Sequence, residues 1–381
     1  MNAIRTGAII LGICFVLLVV VNLLSAAILD GKRHVYNRLF GTSPDTRAAL
    51  PVYQDRRRAE TLFREFRAMG FEYVSVLGWS RRPFAGETVT VGSDGDRQHP
   101  RTTDDPKGVV RFFGGSTMWG EGAEDAETIP ALFNTLFPDY RVFNHAESGF
   151  TSRQALARLI NLANQGAPMD LVVFYDGVNA VDTSCRDGVP LNGQFNESEI
   201  RQRVEIGTGV RSLRLTRLLV DPMVELAGVV GGRIFTGPDQ EALKASFRCH
   251  GRDGYADRVA GALIENWKIA KLIVEARGGH FIAILQPVSF VGAPTTDHLA
   301  FGNARPYMAD DYRTLYARIQ DKLAAAQLPW AFDFTDAFDG PQRLYIDFAH
   351  VGAAGNQRIA ARVKGIVDSQ SLLAGTGSAA P

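Results

Sequence analysis

Between residues 107 and 368 the chain alternates short, largely apolar runs with longer amphipathic segments. Such apolar runs are typical of strands buried on both faces of a sheet, and the amphipathic segments are typical of covering helices. The pattern therefore predicts an α/β fold, a three-layer α/β/α domain with a central, mainly parallel five-stranded sheet. Strands are predicted at Val109–Phe113, Arg141–Asn144, Leu171–Tyr175, Phe281–Gln286 and Ala331–Phe334. Helices are predicted at Thr128–Phe137, Ser152–Asn164, Tyr255–Arg277, Ala309–Ala325 and Ala353–Val367.

Three segments after the N-terminus depart from this alternation. Residues 31–106 predict a small α+β lead-in region, with a helix over Asp55–Met69 followed by the β-like stretches "FEYVSVLGW" and "ETVTVGSD". An insertion at about 182–254 contains a basic amphipathic piece, Arg211–Val220, and an apolar run, Met223–Phe235. Such an insertion often forms a lid or a substrate wall, and its apolar run packs on the core or contacts a membrane. Residues 369–381 are predicted to be a disordered tail.

The first thirty residues form a separate segment. From Thr6 to Leu29 there is no charged residue, and this length suffices for a helix that crosses the hydrocarbon core of a bilayer. The apolar region is longer than that of a cleaved signal peptide, and no convincing cleavage site precedes Asp30. We predict an uncleaved, single-pass transmembrane anchor over residues 1–30. A signal peptide and a buried helix are the alternatives.

Flanking charges and cysteines point to opposite orientations of this anchor. The basic residues that follow the span are Lys32, Arg33 and Arg38. Only Arg5 and the α-amino group precede the span, so a literal count under the positive-inside rule favours a cytosolic domain. The short N-terminal flank opposes this, as does the pair Cys185 and Cys249, which falls in one insertion and would form a disulfide in an oxidising compartment. We expect a bridged pair and an extracytoplasmic (periplasmic) domain; two unrelated thiols are the alternative.

Composition narrows the classes of partner. Lys plus Arg and Asp plus Glu both number 41, so the formal net charge is zero. No overall field and no Lys/Arg run would attract nucleic acid. The sequence has no H-E-x-x-H motif, no cysteine cluster and no Asp/Glu/His group at ligand spacing, and "GVVGG" lacks the Lys and Ser/Thr of a phosphate-binding loop. We therefore predict no metal, no cofactor and no nucleic-acid partner.

Three candidate functional residues follow predicted strands. Ser116 lies in "VVRFFGGST", where paired glycines permit a tight strand-to-helix turn that can present a nucleophile. Gly149 lies in "FNHAESGFTS" and can bring its N–H close to a substrate, because it has no side chain. Asn179 lies in "LVVFYDGVNA", and its amide can donate to an oxyanion without acting as a base. Because the carboxyl ends of parallel strands meet at one edge, these residues are expected to converge.

The motif "DFAHVGAAGN" adds a candidate base near the C-terminus. The D-x-x-H spacing lets Asp347 accept from one imidazole nitrogen of His350 while the other nitrogen faces Ser116. Each motif alone has an ordinary structural explanation, such as a helix cap or a turn. His145 and Glu147 are titratable neighbours of Gly149, and we interpret them as loop residues.

In this order, the four motifs resemble the blocks of the SGNH (GDSL-type) serine hydrolase family, in its membrane-anchored bacterial type. The resemblance covers roughly Val109 to Val367 and implies a flavodoxin-like hydrolase fold. The Asp that usually precedes the family's Ser is Gly115 here, and the Asp that often follows its Asn is Ala180. The roles implied are a nucleophile, a base, its orienting carboxylate and two oxyanion donors: Ser116, His350, Asp347, Gly149 and Asn179.

The resemblance and the anchor together imply a serine esterase that removes an acyl group, such as acetyl, from a carbohydrate or lipid at the cell envelope. An O-acyltransferase acting on envelope or exported polysaccharide would use the same site, with a sugar hydroxyl in place of water. A non-catalytic envelope assembly protein is a third interpretation, which the intact Ser, His and Asp disfavour.

Overall fold

The computed structural model describes residues 2–40, 45–100, 103–195, 197, 200–201 and 246–373. The predicted segments Arg211–Val220 and Met223–Phe235 lie outside the described residues, as do residues 374–381 of the predicted tail. The chain divides into two units, residues 1–43 with 198–243 and residues 44–197 with 244–381. The predicted lead-in region from residue 44 onward therefore shares a unit with the α/β domain.

The first unit contains helix α1, Asn2–Phe40, which continues past the predicted end of the anchor at residue 30. Its segment Arg5–Ala27 has a mean hydropathy of 2.9 and is long enough to cross a membrane. A signal sequence near an N-terminus can pass the same test of length and hydropathy, so the helix is compatible with either assignment.

The second unit is built around a five-stranded parallel sheet, as the apolar runs predicted. Its strands lie in the order β6-β5-β7-β8-β9, and every neighbouring pair is parallel. Numbered within the sheet, this is the order 2-1-3-4-5 of flavodoxin-like folds, in which ligands bind at the carboxyl edge where the chain reverses direction. The strands are β5 Val109–Gly114, β6 Arg141–Asn144, β7 Leu171–Asp176, β8 His280–Leu285 and β9 Ala331–Asp333.

Helices cover both faces of this sheet and complete the three layers. Alternate residues of each strand point to opposite faces, so that Phe113 and Phe174 join one buried cluster while Phe112 and Val173 join the other. On the first face lie α5 Ser152–Asn164, α6 Tyr255–Glu275 and α8 Ala309–Ala326. On the second lie α4 Ile129–Leu136 and α9 Ala353–Gln370. Since α9 reaches Gln370, the predicted tail begins later than residue 369.

The lead-in region consists of one helix and two short hairpins. They are α2 Arg56–Ala68, β1 Phe71–Val74, β2 Gly78–Arg81, β3 Phe84–Ala85 and β4 Thr90–Val91. The β-like stretch "FEYVSVLGW" is an antiparallel hairpin, because Val76 and Gly78 have φ angles of 71° and 93° that turn the chain. Arg97, fully buried, donates to the carbonyls of Gly120 and Ala123 at 2.6 Å each. The lead-in region thereby fixes the loop that follows Ser116.

The two ends of the insertion are joined covalently. Cys185 and Cys249 form a disulfide with their Cα atoms 5.1 Å apart and a sequence separation of 64. In the chain-entropy description, closing a loop of this length contributes about 4 kcal/mol to the free energy of unfolding. Cys14, in α1, is free.

Candidate active site

Ser116 occupies a tight turn at the carboxyl edge of the sheet. Strand β5 ends at Gly114, and Ser116 begins α3, a single turn over Ser116–Trp119. Gly120 ends this turn with a φ of 96°, a left-handed conformation that favours glycine. The predicted strand-to-helix turn is therefore present, and its helix is only four residues long. The serine hydroxyl faces the cavity that contains the other candidate residues.

Ser116, His350 and Asp347 form a continuous hydrogen-bonded chain. The Nε2 atom of His350 lies 2.6 Å from Ser116 Oγ, and its Nδ1 atom lies 2.9 Å from each carboxylate oxygen of Asp347. The backbone N–H groups of Ala349 and His350 donate to Asp347 Oδ1 at 2.9 and 2.8 Å. This geometry meets the requirement for a nucleophile whose base is oriented by a third group.

The surroundings shift the pKa values of Asp347 and His350 in opposite directions. Burial alone would raise the pKa of Asp347, but the charge and hydrogen bonds of His350, together with Arg47, hold that pKa well below its ordinary value. Burial alone would lower the pKa of His350, but the carboxylates of Asp347 and Glu121 raise it above the ordinary histidine value. Asp347 is therefore ionised at neutral pH, and its charge favours the protonated form of His350.

Gly149 lies in a loop that is fixed by hydrogen bonds to the buried carboxylate of Glu147. Glu147 accepts hydrogen bonds from the backbone N–H of Ser148 at 2.7 Å and of Arg81 at 2.8 Å. Burial raises the pKa of Glu147 despite the nearby charge of Arg81. The indole N–H of Trp79 donates to the Ser148 carbonyl at 3.0 Å. Gly149 has a φ of 81°, and among the described residues its N–H has no hydrogen-bond acceptor.

Asn179 follows β7 and faces the same cavity. Its Nδ2 donates to the carbonyl of Phe150 at 2.7 Å, which fixes the amide and leaves one N–H of that nitrogen for another acceptor. A Cβ atom at position 115 would lie 2.2 Å from Asn179 Nδ2. The residue before the nucleophile is therefore glycine because Asn179 occupies the space that a side chain would need.

All five residues implied by the resemblance line one cavity of about 680 Å³. His145, by contrast, lies 2.7 Å from Arg111 Nη1 and 2.7 Å from Asp96 Oδ2, buried beneath the sheet edge. The four sequence motifs therefore meet at one cavity. His145 and Glu147 instead make buried contacts that hold the neighbouring chain in place. The residues that converge are Ser116, Gly149, Asn179, Asp347 and His350.

Two further residues of the cavity were not predicted from the sequence. Arg47 donates from Nη1 to Glu121 Oε1 at 2.8 Å and to Asp347 Oδ2 at 3.1 Å. Glu121 Oε2 lies 3.6 Å from His350 Nε2. The one available signal for Glu121 is its place between Gly120 and Gly122, directly after the serine turn. Arg47 gives no signal, because it is separated from Asp347 by 300 positions.

Glu121, Asp347 and His350 also present ligand atoms within 4.8 Å of one another, which is close enough to hold a metal ion. The sequence spacing did not reveal this group, because its members come from distant segments. Arg47 already places a positive charge against both carboxylates, and His350 Nε2 points at Ser116 Oγ. These contacts fit a hydrogen-bonded triad better than a metal site.

The lead-in region and the insertion form walls of the cavity. Arg47, Phe71 and Trp79 belong to the lead-in region, and Asp182 and Phe195 belong to the insertion. Phe71 and Phe195 are 46% and 38% exposed, which leaves aromatic surface beside the serine. Gly302 and Asn303, from the short helix α7 Phe301–Ala304, and Arg305, which follows that helix, also line the cavity. The cavity thus combines aromatic surface with charged groups.

Comparison with known proteins gives structural likeness only. No protein-family model and no curated protein sequence matches the chain. A carbohydrate acetylesterase family member from Sinorhizobium meliloti superposes with a TM-score of 0.39 and 14% identity, covering 70% of this chain and 100% of that one. A lipolytic G-D-S-L family protein from Veillonella parvula gives 0.37 and 11%, covering 68% and 98%. A GDSL-like lipase from Bacteroides thetaiotaomicron gives 0.35 and 17%, covering 70% and 93%. At identities and TM-scores this low, function has to be argued from the site itself.

Proposed function

We propose that the protein is a serine esterase that uses Ser116, His350 and Asp347 as a catalytic triad. The observation that carries this proposal is the chain of contacts from Ser116 Oγ through the His350 ring to the Asp347 carboxylate, at 2.6 and 2.9 Å, inside an open cavity. An isolated serine or histidine has many structural uses. A serine whose hydroxyl meets an imidazole that is held by an ionised carboxylate is arranged for nucleophilic attack.

The proposed reaction has two halves. Ser116 Oγ attacks the ester carbonyl carbon while its proton passes to His350 Nε2, and the resulting tetrahedral oxyanion accepts hydrogen bonds from the N–H groups of Ser116 and Gly149 and from the amide of Asn179. The imidazolium then gives its proton to the departing alcohol, which leaves an acyl-enzyme. Water repeats these steps and releases the acid. Loss of one oxyanion donor in such a site costs about a hundred- to a thousand-fold in rate.

We propose an acyl ester of a carbohydrate or lipid as substrate, with acetyl as the simplest acyl group. The aromatic surface of Phe71 and Phe195 beside the serine supports a bulky alcohol component, since aromatic walls with a few polar groups are typical of ligand sites. The apolar helix α1 supports attachment at the cell envelope, and the disulfide supports an extracytoplasmic position for the domain.

Turnover of p-nitrophenyl esters of increasing chain length by the full-length protein in detergent tests the proposal. We expect Ser116→Ala and His350→Ala each to lower kcat/KM by at least about a thousand-fold, because the members of a triad act as a unit. Ser369→Ala, at an exposed serine of α9, is the matched control and should retain full activity. Wild-type turnover by Ser116→Ala would exclude the triad.

A further inference from the structure

Glu121 is held rigidly beside the catalytic nitrogen of His350. Its backbone N–H donates to the Ser116 carbonyl at 3.0 Å, and it lies between Gly120 and Gly122, whose φ angles are 96° and 87°. A Cβ atom at position 122 would lie 2.1 Å from Ile346 Cδ1, so position 122 has space only for glycine. The main chain at Glu121 is therefore fixed relative to the nucleophile.

The carboxylate of Glu121 is fixed as well. Arg47 Nη1 donates to its Oε1 at 2.8 Å. Arg47 is in turn clamped by Asp45, with Nε to Oδ1 at 3.1 Å and Nη2 to Oδ2 at 3.0 Å, and its guanidinium carbon lies 4.5 Å above the ring of Phe63. With Oε1 occupied, the free oxygen of Glu121 is Oε2. That oxygen lies 3.6 Å from His350 Nε2.

We propose that Glu121 holds the water molecule that hydrolyses the acyl-enzyme; this rests on the proposed esterase function. A separation of 3.6 Å is too long for a hydrogen bond between Oε2 and Nε2, but one water oxygen can lie at hydrogen-bond distance from both atoms. Such a water sits beside Ser116 Oγ, where the acyl carbon is attached. It is placed for attack because the nitrogen that must take its proton already contacts it.

Water suits this position because it has two O–H groups. One donates to His350 Nε2, and the other donates to Glu121 Oε2. As the new O–C bond forms, the first proton moves to Nε2, and it passes to Ser116 Oγ when the C–Oγ bond breaks. Glu121 neither gains nor gives up a proton in these steps, and the acid leaves with the water oxygen. Formation of the acyl-enzyme needs no water, so Glu121 acts in the second half-reaction.

The same arrangement discriminates between acyl acceptors. A simple alcohol has one O–H, which His350 requires, and its oxygen lone pairs then face the negative Glu121 carboxylate. A polyol can donate a neighbouring hydroxyl to Glu121 instead. Glu121 therefore favours hydrolysis over transfer to a simple alcohol, and it bears on whether the site works as an esterase or as a sugar acyltransferase.

Stopped-flow kinetics of full-length Glu121→Gln with p-nitrophenyl acetate separate the two half-reactions. Above the pH at which His350 becomes neutral, we expect acylation within about threefold of wild type and deacylation slower by about tenfold, the size expected for one hydrogen bond to a charged group. Glu87→Gln, at a side chain that is 73% exposed, is the matched control and should change neither step. If Glu121 acts only through its charge on His350, both steps will slow together, which would overturn the proposal.

Product analysis in the presence of methanol gives a second, independent readout. Glu121→Gln should raise the ratio of methyl acetate to acetate by about tenfold, because the carboxylate that selects water is lost. Glu121→Ala, which removes the same carboxylate, covers the case in which Glu121→Gln does not fold. An unchanged ratio overturns the role of Glu121, whereas activity that survives Ser116→Ala overturns the esterase function itself. When glycerol replaces methanol as the acceptor, formation of an acetylated glycerol identifies transfer to a polyol.

Discussion

In the proposed mechanism, the protonation state of His350 determines when Ser116 can attack. Three charged groups face the ring, namely Asp347, Glu121 and Arg47. Burial and Arg47 lower the pKa of His350, and the two carboxylates raise it by more, so the net shift is upward. Only the neutral imidazole can accept the serine proton. Activity is therefore lost as the pH falls through this raised pKa.

We accordingly predict an acid limb in the pH profile of kcat/KM whose midpoint lies above about 6.5, the ordinary histidine pKa. Glu121→Gln should shift this midpoint to lower pH, because it removes one of the two charges that raise the pKa. Glu87→Gln is again the control, and its midpoint should match wild type. Identical midpoints for Glu121→Gln and wild type would show that the carboxylate does not act on His350.

Sequence motifs and the folded chain contribute different parts of the site. Ser116, Gly149, Asn179 and the Asp347–His350 pair could be predicted, because each lies in a short motif whose order matches a known pattern. Arg47 and Glu121 could not, because their function arises from a contact between segments far apart in the chain. Long-range ion pairs leave no local periodicity or spacing in a sequence.

At the scale of elements, the proposed oxyanion site depends on how closely two βα connections approach each other. The turn between β5 and α3 passes the connection after β7 so closely that Gly115 and the Asn179 amide share one space. Gly115 has φ and ψ of −88° and −158°, an extended conformation that any residue can adopt. Contact with Asn179, rather than backbone strain, is therefore what requires glycine here.

Gly115→Ala should consequently displace the Asn179 amide while the backbone keeps its conformation. We expect kcat to fall by about a hundred-fold, the effect of losing one oxyanion donor. Gly365→Ala is the control, because a Cβ atom at that position of α9 meets nothing within 4 Å. Activity assays together with thermal unfolding separate the effects: full activity in Gly115→Ala would contradict the role of the Asn179 amide.

The elements themselves differ in how well the sequence predicts them. All five sheet strands and the five covering helices were predicted to within a few residues, because burial of a strand on both faces gives a continuous apolar run and burial of one helix face gives a helical periodicity. The lead-in region was predicted only in outline. Its strands β3 and β4 are two residues each, too short for a pattern to be recognised, and Val91 of β4 forms an isolated β-bridge with Arg97.

At the scale of the whole molecule, the disulfide and the charges that follow the apolar segment of α1 bear on one question, the compartment of the catalytic domain. A structural disulfide persists in an oxidising compartment and is rare in the cytosol. Lys32, Arg33 and Arg38 would resist translocation. We give more weight to the disulfide, because Cys185 and Cys249 are buried together and their bond closes the insertion beside the cavity.

Thiol labelling in cells tests this orientation. When cells are lysed directly into denaturant without reductant and thiols are labelled at once, we expect Cys14 alone to react, and two more thiols to become reactive after reduction. Cys185→Ser combined with Cys249→Ser is the control and should show one reactive thiol under both conditions. Three reactive thiols without reductant would instead indicate that the domain lies on the cytosolic side, which the flanking charges favour.

Covalent trapping of the nucleophile tests the central claim most directly. A fluorophosphonate probe reacts with a serine that is activated by a neighbouring base, and peptide mass spectrometry locates the adduct. We predict a single adduct on the peptide that contains Ser116, absent from Ser116→Ala and formed far more slowly in His350→Ala, because His350 Nε2 lies 2.6 Å from the serine oxygen. An adduct on a different residue, or esterase activity that remains after Ser116 has been fully labelled, would contradict the account.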